Sequence, residues 1–121
     1  MEVRNYRELI VWQKAMDLVE EVYSLTKLLP QEELYGLSNQ LRRAVISISS
    51  NIAEGNSRHT AQEYKRFLSI ARGSMSEVET QLEICLRLDY LNKTQIGNAL
   101  KLCGEIGKML NSIIVKLIPD P

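Results

Sequence analysis

Apolar positions recur along the chain at intervals of three and four, the spacing of one face of an α-helix. Four such stripes can be traced. The first passes through Leu9, Trp12, Met16, Val19 and Tyr23, in a helix predicted over residues 6–29 and stopped by Pro30. The second passes through Leu37, Leu41, Ala44, Ile48 and Ile52, widened by Val45, in a helix over 37–54 with Gly55-Asn56 as its C-cap. Residues 31–36 read as a turn or a frayed helical start. The third stripe holds Tyr64, Phe67 or Leu68, Ala71, Met75, Val78, Leu82 and Cys85, in a helix over 61–88. That helix opens with Thr60-Ala61-Gln62-Glu63, a capping-box pattern. The fourth holds Leu100, Cys103, Gly107, Leu110, Ile114 and Leu117, over 94–117 with Asn92 as cap. No segment alternates in the manner of a strand. Helices of ~30–40 Å joined by short loops predict an all-α fold, an antiparallel up-down-up-down four-helix bundle. It is expected to form a single domain over residues 1–121.

Some positions lie outside this core pattern. Gln40, Arg43, Ser47, Asn51 and Glu54 share a second, polar face of helix two. It reads either as a solvated face or as a polar stripe at a helix–helix or subunit interface, where such residues fix register and partner choice. Helix three offers a counterpart in Gly73-Ser74, followed by Glu77 and Gln81. Mid-helix glycine costs ~1 kcal/mol relative to alanine, and close approach of another helix is a reason to keep it. Gly97, Gly104 and Gly107 invite the same argument. Leu9, Ile10, Val11 and Trp12 make the start of helix one apolar nearly all round, more than one bundle can cover. A homo-oligomer is therefore expected, with Leu9, Trp12, Gln40, Arg43, Ser47, Asn51, Glu54 and Gly73 at its interface.

Composition narrows the function. The 121 residues carry 15 Lys+Arg against 15 Asp+Glu, so no overall basic excess marks a nucleic-acid binder. A local basic group remains, with Arg42, Arg58, Lys65 and Arg72 as candidate nucleic-acid contacts. The first residues lack the basic-then-apolar pattern of a signal peptide, and no apolar run nears the ~18 residues of a membrane span. A cytoplasmic protein without membrane association is expected. Cys85 and Cys103 fall ~7 Å out of register across the predicted helix-three to helix-four turn, so they read as unpaired buried hydrophobes.

Recognisable catalytic chemistry is missing. The single histidine, His59, precedes a helix and reads as a loop residue. There are no Glu-x-x-His pairs of the di-iron kind and no zinc spacing. Neither a phosphate-binding glycine loop nor a nucleophile elbow is present. No cofactor or metal is expected. A carboxylate site involving residues such as Glu77 and Glu105 remains as an alternative, though no spacing singles them out.

Several blocks together resemble a known family. They are Leu9-Ile10-Val11-Trp12-Gln13-Lys14-Ala15-Met16, Glu33-Leu34-Tyr35-Gly36-Leu37, Gln40-Leu41-Arg42-Arg43-Ala44 and Asn51-Ile52-Ala53-Glu54-Gly55. Phe67-Leu68-Ser69-Ile70-Ala71, Gly73-Ser74 and Gln81-Leu82 follow in order. Over residues 6–91 the chain resembles the 23S rRNA intervening-sequence protein family. Ser49 stands where that family often has proline, and Asp89 where it often has glycine. The resemblance implies a four-helix bundle that assembles as a homopentamer. It also implies kinship with retroelement accessory variability proteins, which bind nucleic acid and a reverse transcriptase but are markedly basic. Three readings follow: an oligomeric non-catalytic scaffold binding RNA, DNA or a protein; a purely protein-binding module; and an enzyme with an unrecognised carboxylate site.

Overall fold

The computed structural model describes residues 5–117. Residues 1–4 and 118–121, with Pro119 and Pro121 among them, lie outside the described residues. The helices are α1 (Ile10–Thr26), α2 (Leu37–Asn56), α3 (Ala61–Arg87) and α4 (Lys93–Lys116). Short 3-10 turns, Tyr6–Glu8 and Gln31–Glu33, precede α1 and α2. Each helix packs on its neighbours in sequence and α4 closes on α1, while no diagonal pair comes into backbone contact among the described residues. This is the square, antiparallel up-down-up-down bundle that the stripes predict.

Helix α1 departs from its expected stripe by one position. Val11, Ala15, Leu18, Val22 and Leu25 are its buried apolar residues. Leu9, Trp12, Val19 and Tyr23 are only partly buried, and Met16 is exposed. Both series keep three-four spacing and lie ~100° apart, so periodicity alone does not separate them. The smaller Ala15, Val11 and Val22 let α1 approach the bundle axis, whereas the rings sit at its margins. Tyr6 packs edge-on to Trp12 at 5.3 Å between ring centroids, and Arg42 lies 4.9 Å over Tyr23. The predicted helix start at residue 6 is also corrected. Asn5 accepts from the Arg7 backbone N–H and starts a 3-10 turn, and Leu9 is extended before α1 begins. Of the apolar run at the start of α1, Ile10 is the residue that remains exposed.

The second and third stripes hold, and the fourth holds in its middle, with its ends Leu100 and Leu117 only partly buried. Leu37, Leu41, Ala44, Val45, Ile48 and Ile52 are buried from α2. Leu68, Ala71, Met75, Val78, Leu82 and Cys85 are buried from α3, while Tyr64 and Phe67 are half-buried. Ile96, Ala99, Cys103, Ile106, Gly107, Leu110 and Ile114 are buried from α4. Both cysteines are free. Burial pushes their thiols up, to about 11 for Cys85 and about 12 for Cys103.

Helix ends follow side-chain chemistry. Thr60 accepts from the Glu63 backbone N–H at 3.1 Å, so that half of the expected box forms. A full reciprocal box forms instead at α4, between Asn92 and Gln95. α2 runs on through Ser49 and past Gly55, correcting the expected C-cap; Ser57 caps it. Gly55 has a packing role. A Cβ there would lie 2.9 Å from Phe67 Cβ and 3.0 Å from Tyr64 Cδ1, where the start of α3 crosses α2. α3 ends in a Schellman motif: Tyr90 N–H bonds the Cys85 carbonyl at 2.9 Å and Asp89 N–H the Leu86 carbonyl at 3.1 Å. The motif holds Asp89 at φ 60°, a left-handed conformation that glycine adopts freely. Glu33 ties this corner to the first loop. Its carboxylate accepts from the Leu37 backbone N–H at 3.1 Å and from the Tyr90 hydroxyl at 2.9 Å.

Two stability measurements test this packing. Asp89→Gly is expected to stabilise by about 0.5–1 kcal/mol, seen as a higher midpoint in urea unfolding. Gly55→Ala is expected to cost roughly 1–2 kcal/mol, the clash with Phe67 outweighing the better helix former; an unchanged thermal midpoint would contradict the close crossing.

Candidate functional site

The polar stripe of α2 lies along its seam with α3. Ser47 and Ser74 hydroxyls meet across the seam at 2.8 Å, and the Asn51 amide donates to Ser47 Oγ at 3.0 Å and to the Ser47 carbonyl at 2.8 Å. Further along, Gln81 Nε2 reaches Gln40 Oε1 at 3.5 Å, the long limit for a hydrogen bond. The stripe therefore makes helix–helix contact at Gln40 and Ser47, with Asn51 bonding Ser47 from within α2. Glu54 departs from it. It is exposed and accepts from Arg58 on its own helix turn at 2.6 Å.

Above this seam runs an open groove of ≈ 410 Å³, walled by Asn39, Gln40, Arg43 and Ser47 of α2 and Ser74, Glu77 and Gln81 of α3. A second hollow of ≈ 330 Å³ shares Gln40, Glu77 and Gln81 with it and extends past Gly73 and Thr80 to Ile84. Arg43 and Glu77 are exposed, of opposite charge, and form no ion pair with each other within 4.0 Å or with any other described residue. Exposed Ile46, Ile70 and Ile84 flank the same pair of helices. Gly73 is exposed, and a Cβ added to it would meet no atom within 4 Å. Gly97 and Gly104 are likewise open, whereas a Cβ at Gly107 would meet the tip of Met75 at 2.8 Å. Close helix approach inside the subunit thus does not explain Gly73, and at Gly107 only the flexible tip of Met75 stands in the way.

The candidate nucleic-acid residues are not gathered on one face. Arg42 donates to Thr26 Oγ1 at 3.0 Å while stacking on Tyr23, bridging α1 and α2. Arg58 pairs with Glu54 and lies 4.9 Å over Phe67 at the α2–α3 corner. It lies just beyond the C-terminal end of α2, whereas Arg42 lies near the start of that helix. Arg72 donates to Asn111 of α4 at 2.7 Å. Lys65 shares the Arg72 side of α3, two turns away. Leu9 lines a separate apolar groove of ≈ 310 Å³ between α1 and α4, with Ile10, Met109 and Ile113. Trp12 is half-buried beside Tyr6.

The two carboxylates weighed for catalysis address different seams. Glu77 lines the α2–α3 groove, whereas Glu105 accepts from Lys14 of α1 at 2.7 Å. Among the described residues no group of His, Cys, Asp and Glu is placed to hold a metal ion. No described helix is long and apolar enough to cross a membrane. Ser74, Glu77 and Gln81 belong to the groove, although the expected interface took only Gly73 from α3. Their spacing of three and four was the available signal.

Fold and groove together define a class: an all-α four-helix bundle whose marked feature is a polar seam open to solvent. The chain belongs to the family described as 23S rRNA-intervening sequence protein, which matches residues 7–112. A crystal structure similar to it is that of a protein of unknown function from the S23 ribosomal protein family of Bacteroides thetaiotaomicron. The two superpose with a TM-score of 0.81 at 28% identity, over 87% of this chain and 98% of that one. No curated protein matches.

The α1–α4 ion pair makes stability depend on pH. The hydrogen bond from Lys14 outweighs desolvation and holds the Glu105 carboxyl below its usual value. The folded state then binds that proton less readily than the unfolded chain. The stabilisation is present above the ordinary glutamate range and is lost as pH falls through the folded value. In thermal melts, the deficit of Lys14→Met relative to wild type is expected to shrink from pH 7 to pH 3; a constant deficit would show that Lys14 acts through packing alone.

Proposed function

We propose that the protein is a non-catalytic scaffold subunit that assembles with copies of itself through the α2–α3 face. The observation that carries this reading is the open position of Gly73 in a hollow that shares unpaired Glu77 with the groove lined by unpaired Arg43. Glycine in the middle of a long helix costs ~1 kcal/mol, and nothing among the described residues lies within 4 Å of where a Cβ would stand. Flanking Ile46, Ile70 and Ile84 supply apolar area for burial in an assembly. A closed ring of five copies is the state that the family resemblance implies. Phosphate binding by Arg42, Arg58, Lys65 and Arg72 is the weaker reading, because the three guanidinium groups among them each have a partner within the chain. A cytoplasmic setting accords with the unpaired cysteines.

Gly73→Trp tests the reading with little risk to the fold, because the new side chain points into open space. Sedimentation velocity at micromolar concentration is expected to show a single oligomer for the wild type and a helical monomer for the variant. A monomeric wild type, or an unchanged oligomer in the variant, would remove the proposal.

A further inference from the structure

Gln81 is 8% exposed, and its Oε1 has no hydrogen-bond partner among the described residues. A buried acceptor left unpaired disfavours the isolated fold, and an apolar side chain of the same length would serve the core better. Its neighbours one turn away on α3, Val78 and Cys85, are apolar and buried. The amide sits at the junction of the two hollows, between Gln40 and Glu77. Gly73 opens the same groove ~12 Å along α3, the length of about two helical turns. Ser47, Ser74, Ser76 and Thr80 keep the walls low between them.

We propose that Gln81 is a specificity residue for assembly, its buried amide oxygen taking a hydrogen-bond donor that a helix of a second copy of this chain lays into the α2–α3 groove. This deepens the self-association reading and rests on it. Charge selects the occupant. The groove presents one cation, Arg43, and one anion, Glu77, and a chain with 15 basic and 15 acidic residues can answer both. A phosphate backbone answers only the first. A polar contact of this kind weakens the separate subunit while fixing the register of the assembled one.

Gln81→Met separates this role from a structural one. Two quantities are read: the thermal midpoint in the monomeric Gly73→Trp background, and the assembly mass over a dilution series in the otherwise wild-type chain. The midpoint is expected to rise by about 4 °C, because the orphaned acceptor is gone. Assembly is expected to weaken at least tenfold or to give mixed masses. A fall in both would mean that Gln81 merely supports the fold, and an unchanged mass and affinity would overturn the proposal outright. If the wild type assembles and Gly73→Trp dissociates it while Gln81→Met does not weaken it, the role of Gln81 falls and the scaffold reading stands. A monomeric wild type removes both.

Discussion

The close crossing of α2 and α3 is the contact on which the rest of this bundle depends. It is made possible by what is small: Ser47 against Ser74 at 2.8 Å, and Gly55 where a methyl group would strike Phe67. Larger side chains at these positions would hold the helices apart and open the core beneath them. The closeness has a consequence at the surface. Hydroxyls and amides, rather than aliphatic chains, line the top of the seam, so a polar groove runs where an apolar ridge would otherwise stand. Gln81 is drawn under its edge without a full set of partners.

The remaining seams are held differently. α1 meets α2 through Arg42, which both stacks on Tyr23 and donates to Thr26. α1 meets α4 through the Lys14–Glu105 pair. α3 meets α4 through Arg72 and Asn111 as well as through the buried cysteines and leucines. The loop corner that joins Glu33 to Tyr90 ties the α1–α2 connection to the α3–α4 connection at one end of the molecule. Lys14, Arg42 and Arg72 thus lace neighbouring helices together. Arg43 makes no such link and faces the groove.

This division of labour gives the family fold a coherent reading. A chain with no net charge and no clustered metal ligands among its described residues has its distinctive chemistry on one face. That face combines hydrogen-bonding groups, opposite charges and flanking isoleucines, the mixture found at the core and rim of specific protein interfaces. The strongly similar Bacteroides structure carries the same architecture over nearly its whole length.

Periodicity in the sequence determined the four helices, their order and three of the four buried stripes, because burial in a bundle demands one apolar face per helix. It could not choose between two adjacent stripes on α1. Both are apolar, and the choice depended on the short approach that Ala15 and Val11 allow once α2 and α4 are in place. The polar stripe of α2 was legible as a face, and Gly73-Ser74 as its counterpart, since both follow helical spacing. What that spacing left open was which cations already had partners. Arg42, Arg58 and Arg72 are distributed over three different seams; Glu54 is local to Arg58 in sequence, but only the packed structure brings Thr26 to Arg42 and Asn111 to Arg72. The orphaned Gln81 oxygen belongs to the same kind of knowledge, because hydrogen-bond satisfaction depends on distances between helices that no single helix's sequence contains.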